Sequence, residues 1–402
     1  MLKNKLLFIS PLIVLLVIAL FGLTLIPSVQ QKPKNLPMAL VNEDIGAVIP
    51  QQGKVNMGDT ITNMLKKNIT STEGEVPPVK WINVESKEDV LKGLDNQEYY
   101  GALIIPKNFS QKQSSLMTSK PEKPEINIFI NQGMNPVAAN LVGQMLNTMG
   151  NHLKNGIQTQ VLQGLEKQNI SLKPNQLTPL TDPLQVNVEN VNGVGTASMN
   201  GNAPVALFQP LWMSSIAGAV VLFFVANKLN FVNQKQKLYT VLTQVIAGII
   251  LGLVAGFGLT WVADLLGVHI SKFVDISLFL TITYFAFFLL ITAVLSWLGI
   301  KGMPIFVLLL FFGAPLLSMA PEMMSTFYQD YIYSWLPMRF MVEGLRELFF
   351  FHRDFSFSGP TSILLWISLG SFFILLLSVL RVQGSYSKES SYGHEETRAT
   401  ER

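Results

Sequence analysis

Residues 241–263 read VLTQVIAGIILGLVAGFGLTWVA, and this stretch decides the fold. It holds no Asp, Glu, Lys or Arg over a length that crosses the hydrocarbon core of a bilayer as a helix, which needs about 20 apolar residues. Backbone polar groups find no water there, so only a helix or a closed barrel satisfies them. Working outward, Leu207–Ala226, Ile276–Ile300, Gly302–Pro321 and Phe355–Leu380 are equally free of charge. One more such run, Leu6–Ile26, stands alone at the N-terminal end. Between it and the rest lies a polar stretch, residues 27–206. The expected fold is a polytopic α-helical membrane protein of six transmembrane helices, with an α/β domain inserted between helices 1 and 2.

The first run follows Lys3 and Lys5 in the manner of a signal peptide. It is longer than a typical h-region, however, and Ile26-Pro27-Ser28 lacks a small-x-small cleavage pattern, so an anchor is expected. Apolar residues make up 49% of the chain and charged residues 14%, with a net charge of +3, which gives no footing for nucleic acid. There is no cysteine, hence no disulfide framework and no thiolate chemistry.

Orientation follows from the basic residues of the short loops. With the N-terminus inside, the cytoplasmic pieces carry Lys3, Lys5, Lys228, Lys235, Lys237 and Lys301, and the tail 381–402 adds Arg381, Lys388, Arg398 and Arg402. The outer loops carry only Lys272, Arg339, Arg346 and Arg353, the three arginines among Glu322, Asp330, Glu343, Glu347 and Asp354. Both termini are therefore expected in the cytoplasm of a multi-pass cell-membrane protein, and residues 27–206 outside it.

Within 27–206 the pattern alternates between strand and helix. Met38–Val41, Trp81–Val84, Tyr99–Ile105 and Ile126–Ile130 read as strands. Ile61, Met64 and Leu65 share a helical face, and Ser86 with Asp89 three positions on caps a second short helix. Val137–Lys167 is helix-compatible throughout. From about residue 170, Pro174, Pro179, Pro183, Gly193, Gly195, Gly201 and Pro204 read as a linker, with a Val186/Val188 alternation as one strand inside it. A small α/β domain that folds alone over residues 30–200 is expected.

No catalytic pattern appears. His152, His269, His352 and His394 have no ligand spacing, and neither a phosphate-binding G-x-x-x-x-G-K-[ST] loop nor G-x-S-x-G occurs. The expectation is a non-enzyme with no cofactor and no metal. The apolar runs hold no internal ionisable residue, which argues against an ion-coupled transporter. Gly248, Gly252 and Gly256 form a smooth stripe for a closely approaching helix, in this chain or in a second copy. The loop 322–354 is too long and too apolar for a simple connector. Its Trp335, Pro337, Arg339, Glu343 and Arg346 fit a broken amphipathic helix pair, read either as a surface connector or as an outer gate.

Three outer segments carry a family resemblance: Leu36-Pro-Met-Ala-Leu-Val-Asn-Glu-Asp-Ile-Gly-Ala47, Val55-Asn-Met-Gly-Asp59 and Tyr99-Tyr-Gly-Ala-Leu-Ile-Ile-Pro-Lys-Asn-Phe-Ser110. They resemble the extracellular start of the YhgE/Pip (phage infection protein) family. Trp335-Leu-Pro-Met-Arg-Phe-Met-Val-Glu-Gly-Leu-Arg346 resembles the segment after the fifth span in those proteins and in ABC-2-type permeases, which share the layout of one span, a domain and five further spans. The resemblance implies a permease subunit of an exporter for an amphipathic, lipid-like, drug or peptide substrate. It also implies a separate ATPase, and a homodimer or a heterodimer with a related permease. As the alternative, it allows a non-transporting cell-surface protein acting as a phage-attachment site or a secretion-machinery scaffold. Relatives often have a longer outer segment and an amphipathic helix before the first span. With only Met1–Lys5 ahead of the first run here, ATPase docking falls to the loop 227–240, with Leu229, Phe231, Lys235 and Lys237.

Overall fold

The computed structural model describes Leu15, Ile18, Ala19 and residues 33–49, 53–67, 76–118, 120–167, 181–229, 231 and 233–380. The run Leu6–Ile26, apart from three helical positions, the first part of the expected linker and the tail 381–402 lie outside the described residues. The chain divides into two units. The first takes residues 1–203, 314–335 and 349–352, and the second takes 204–313, 336–348 and 353–402.

The first unit is a five-stranded sheet with helices on both faces. Its strands are β1 (Leu36–Asn42), β4 (Val79–Asn83), β5 (Gly101–Ile105), β6 (Glu125–Asn131) and β7 (Gln185–Val191), in the order β4-β1-β5-β6-β7. A two-stranded hairpin, β2 (Ala47–Ile49) with β3 (Gly53–Val55), stands apart. β1 runs parallel to both β4 and β5, β6 is antiparallel to β5, and β7 is parallel to β6. Such central strands are covered on both faces and read as continuous apolar runs, and Met38 through Val41 are all buried.

Alternation along the strands separates two cores. Leu36, Met38, Leu40, Leu103, Ile105, Ile126 and Ile128 face one side. There they meet α1 (Met57–Lys67), α3 (Phe109–Ser115) and the 32-residue α4 (Pro136–Lys167). Ala39, Val41, Ala102, Ile104 and Phe129 face the other and meet α2 (Lys87–Asp95) through Val90 and Leu94. Ser86 caps α2 as its sequence implies, its hydroxyl accepting from the Asp89 amide at 3.2 Å. The Val186/Val188 alternation lies in β7, so a seven-residue part of the expected linker, Gln185–Val191, belongs to the sheet.

The core of this unit also takes in a segment distant in sequence. Leu316, Met319, Ala320, Met323, Met324, Tyr328 and Tyr333 are buried in the same cluster as β1, β5 and β6. Polar contacts fix the segment. Tyr100 donates its hydroxyl to Glu322 Oε2 at 2.8 Å, the Lys34 amide donates to the Glu322 carbonyl at 2.8 Å, and Asn135 Nδ2 donates to the Ser318 carbonyl at 3.0 Å.

The second unit is a helical bundle of α5 (Phe208–Asn227), α6 (Gln234–Leu265), α7 (Phe273–Leu298), α8 (Met303–Leu317), α10 (Pro337–Phe350) and α11 (Pro360–Leu377); α9 (Thr326–Tyr331) lies in the inserted segment. A 3₁₀ turn, Gly299–Gly302, joins α7 to α8, so two of the expected spans form one 45-residue helical segment, Phe273–Leu317. Among the described residues four segments are long and apolar enough to cross a membrane: Ala203–Asn227, Gln234–Leu265, Phe273–Leu317 and Pro360–Leu380. They make the chain a membrane protein. α7 forms the middle of the bundle, with Phe279, Leu280, Phe287, Phe288 and Ile291 buried, and the Trp212 and Phe287 rings meet edge-on at 4.9 Å. The outward residues are apolar too, Val254, Trp261, Trp366 and Phe373 among them, as a lipid-facing surface requires.

Candidate functional site

The three outer segments that carry the family resemblance converge at one end of β1. Asp44 follows β1, Gly58 lies in the first turn of α1 and Ser110 in the first turn of α3, and 66 residues separate the outer two. Asp44 is 7% exposed. Its Oδ1 accepts from the amides of Gly46 at 3.3 Å and Ser110 at 3.0 Å, while Oδ2 accepts from the Gly58 amide at 3.1 Å and from the Ser110 hydroxyl. That hydroxyl in turn accepts from the Met57 amide at 2.8 Å. Asn42 Oδ1 accepts from the Asp44 amide, and Asn42 Nδ2 donates to Asp59 at 2.7 Å. Asn56 closes the ring, donating to the Asp44 carbonyl at 2.9 Å and accepting from the Asp59 amide at 2.9 Å.

Glycine at position 58 is a steric demand. A Cβ there would stand 2.2 Å from Asn42 Oδ1 and 2.7 Å from Asp44 Cβ. Chemically the cluster is saturated. The Asp44 carboxylate accepts four hydrogen bonds, about its full capacity, and the Ser110 hydroxyl both donates and accepts. Neither is poised as a base, a ligand or a nucleophile. The cluster ties β1, α1 and α3 together, so the sequence signature encodes a fold lock. No group of three or more metal-ligating side chains occurs among the described residues.

The glycine stripe of α6 lies against α7. A Cβ on Gly248 would meet the Phe288 ring at 2.4 Å, one on Gly252 the Thr281 carbonyl at 3.2 Å, and one on Gly256 the Thr281 hydroxyl at 2.3 Å. The stripe is thus a helix-packing surface inside one chain.

The expected outer-loop set is divided between the two units. Trp335 belongs to the first and is 55% exposed, its indole donating to the Tyr331 carbonyl. Pro337, Arg339, Glu343 and Arg346 lie on α10 in the second. Arg339 pairs with Glu343 one turn on at 3.3 Å, Arg346 is buried, and α10 packs on α7, where a Cβ on Gly344 would stand 2.3 Å from Phe279 Cζ.

The loop between α5 and α6 borders a cavity that sequence reasoning missed, because its lining is spread over four helices. It has a volume of about 180 Å³ and is lined by Phe223, Asn227 and Phe231 around α5 and its following turn, Lys237, Thr240 and Gln244 of α6, Thr292 and Ser296 of α7, and Leu375 and Ser378 beside α11. Lys237 Nζ donates to the Ser378 carbonyl and Gln244 Nε2 to the Leu222 carbonyl at 3.2 Å. The buried Thr292 hydroxyl has no hydrogen-bond partner. A second, more apolar groove of about 220 Å³ adjoins it between α5 and α6, lined by Leu222, Val225, Leu229, Tyr239 and Ala247. Ala226, Thr240 and Gln244 line both. Of the residues expected to dock a partner, Leu229 therefore lines the groove and Phe231 and Lys237 the cavity, while Lys235 is exposed.

A family model described as "Protein of unknown function (DUF3533)" matches residues 6–355. The uncharacterized protein YhgE of Bacillus subtilis (strain 168) is 31% identical over 107 residues, which are 27% of this chain and 13% of that one. The YhgE/Pip resemblance thus has a counterpart in a local sequence match, over a small part of a much longer protein. A solved domain described as part of an ABC type-2 transporter from Thermotoga maritima MSB8 aligns with 38% of this chain and 84% of its own length, at 16% identity and a TM-score of 0.25; a superposition that loose says nothing further about the chain. The match across residues 6–355 makes the chain a member of the DUF3533 family.

Proposed function

We propose that the chain is the membrane subunit of an ABC-2-like exporter, moving an amphipathic, lipid-like, drug or peptide molecule outward on energy from a separate ATPase. The observation that supports this most is the make-up of the bundle interior. Among the described residues its buried polar side chains are Ser215, Thr260, Ser277, Thr283, Thr292, Thr361, Ser368, Ser371, Ser378 and Arg346, with no carboxylate among them. Coupling to protons or sodium ions usually takes an acid at mid-membrane. Hydroxyls and a cation suit passage of a polar or anionic group, and the driving force then comes from outside the chain. In this reading the chain is no enzyme itself. Both termini are cytoplasmic, the first apolar run is a sixth span, and the α/β unit is extracytoplasmic.

Two experiments test it. In the cysteine-free chain, a cysteine at the exposed Asn155 reacts with an impermeant maleimide on intact cells and one at the exposed Gln234 does not. Leu229→Asp together with Phe231→Asp abolishes co-purification of the ATPase without loss of membrane insertion. An ATPase that still binds the double variant, or export with no ATPase present, refutes the coupling and favours a surface-receptor role.

A further inference from the structure

We infer that the cavity between α5, α6, α7 and α11 holds the phosphate of an anionic phospholipid, whose acyl chains run into the adjoining apolar groove between α5 and α6. This goes beyond export and stands whether or not an ATPase binds, since it needs only the membrane location.

Three observations converge on it. First, among the described residues the cavity lining has one sign of charge. Lys237 brings an ammonium, Asn227, Thr240, Gln244 and Ser296 bring neutral polar groups, and no acidic side chain among the described residues lines it. The chain from Lys228 to Lys237 adds Lys235 and contains no Asp or Glu. Juxtamembrane lysines attract anionic lipid. Second, the Thr292 hydroxyl is 3% exposed, lines the cavity and has no partner. A buried hydroxyl without a partner is costly, and a phosphate oxygen would satisfy it. Third, the polar cavity and the apolar groove share Ala226, Thr240 and Gln244. A polar compartment that opens sideways onto an apolar one between membrane helices fits an amphiphile better than a free ion. A free phosphate would use the cavity and leave Leu222, Val225 and Leu229 without an occupant.

The test uses the full chain in detergent, titrated with phosphatidylglycerol, phosphatidylcholine or inorganic phosphate and read by native mass spectrometry and by thermal shift. Phosphatidylglycerol is retained as a discrete adduct and raises the melting temperature, phosphatidylcholine is retained at least about tenfold less, and inorganic phosphate gives no shift. Lys237→Ala and Thr292→Val each weaken phosphatidylglycerol retention, the lysine by about tenfold or more, the scale of one charge-assisted hydrogen bond. Ala247→Phe, which fills the groove and leaves the cavity lining unchanged, weakens it as well, whereas Lys80→Ala on the α/β unit does not. Equal retention of the two lipids overturns the inference. So does wild-type retention in both Lys237→Ala and Thr292→Val, or a loss in Lys80→Ala as large as in Lys237→Ala. Binding of inorganic phosphate as tight as that of the lipid assigns the cavity to a free anion and overturns it too.

Discussion

The two units hold together by opposite means. The α/β unit hides apolar strands under helices and ties two of its buried polar groups, Asp44 and Ser110, into one saturated cluster. The bundle shows apolar surface on its outside and keeps glycines and hydroxyls within, such as Gly256 against Thr281 and Ser277. Water expels the side chains of the first unit from its surface. Lipid offers no such push between helices, so the second relies on close approach and shape. Loss of one polar group should therefore be severe in the first unit and mild in the second, while loss of one glycine should be felt wherever backbones approach closely.

Asp44→Ala makes the largest break. It removes the acceptor of three amides and one hydroxyl in a buried site, and each orphaned donor costs about 1–3 kcal/mol before relaxation. A loss above about 4 kcal/mol is expected, seen as an early melt and rapid proteolysis of residues 33–167. The counterpart in the bundle, Thr283→Ala, removes a hydroxyl that donates to its own helix at the Phe279 carbonyl, and should cost under about 1 kcal/mol. Equal losses would erase the distinction between the units.

Gly256→Leu comes next. Overpacking costs about 1–3 kcal/mol, and the new side chain would meet Thr281 and the Ser277 carbonyl. Gly258→Leu, where a Cβ meets nothing within 4 Å, serves as the control on the same helix. Melting in detergent should separate the two. If both behave alike, the stripe is not a packing surface.

Asp182 gives the smallest effect. Its carboxylate pairs with Lys123 at 3.0 Å and Lys154 at 2.5 Å. The hydrogen bonds from Lys154 and Lys123 hold its pKa below the ordinary 3.8. A depressed carboxylate stabilises the fold above its unfolded pKa and loses that contribution as pH falls through the lower folded value. The side chain is half exposed, so the pair is worth under about 1 kcal/mol. Asp182→Asn should lower the melting temperature of the α/β unit slightly at pH 7, and the gap to wild type should close below pH 3.8. A gap that persists there assigns the effect to packing.

Much of this division was legible in the sequence. The strands around Met38, Trp81, Leu103 and Ile128 alternate or run apolar as their positions in the sheet demand, and the capping pair Ser86 and Asp89 marks α2 on its own. Charge-free runs marked the bundle helices. The inserted segment was not legible. Leu316 and Met319 read as the end of an apolar run and Met323 as part of the outer loop, because periodicity reports that a residue seeks cover and not which partner supplies it. The same limit hid the cavity, whose lining residues look like isolated polar substitutions until four helices bring them together. The family-signature residues Asn42, Asp44, Gly58 and Ser110 pointed to one place, but spacing alone did not reveal that they saturate one another.

The inserted segment also changes what the α/β unit is. A fragment of residues 30–200 lacks Leu316 through Tyr333 and exposes the face they cover, so it should melt below the same fragment supplied with residues 314–335. The central claim, that this segment is part of the α/β core, is tested most directly by hydrogen exchange on the full chain. Met323→Asp places a charge at a position 4% exposed, whereas Met64→Asp does so at one 46% exposed. The β1 amides of Met38 through Val41 should exchange far faster in Met323→Asp than in wild type and stay protected in Met64→Asp. Unchanged protection of β1 in Met323→Asp would contradict the account.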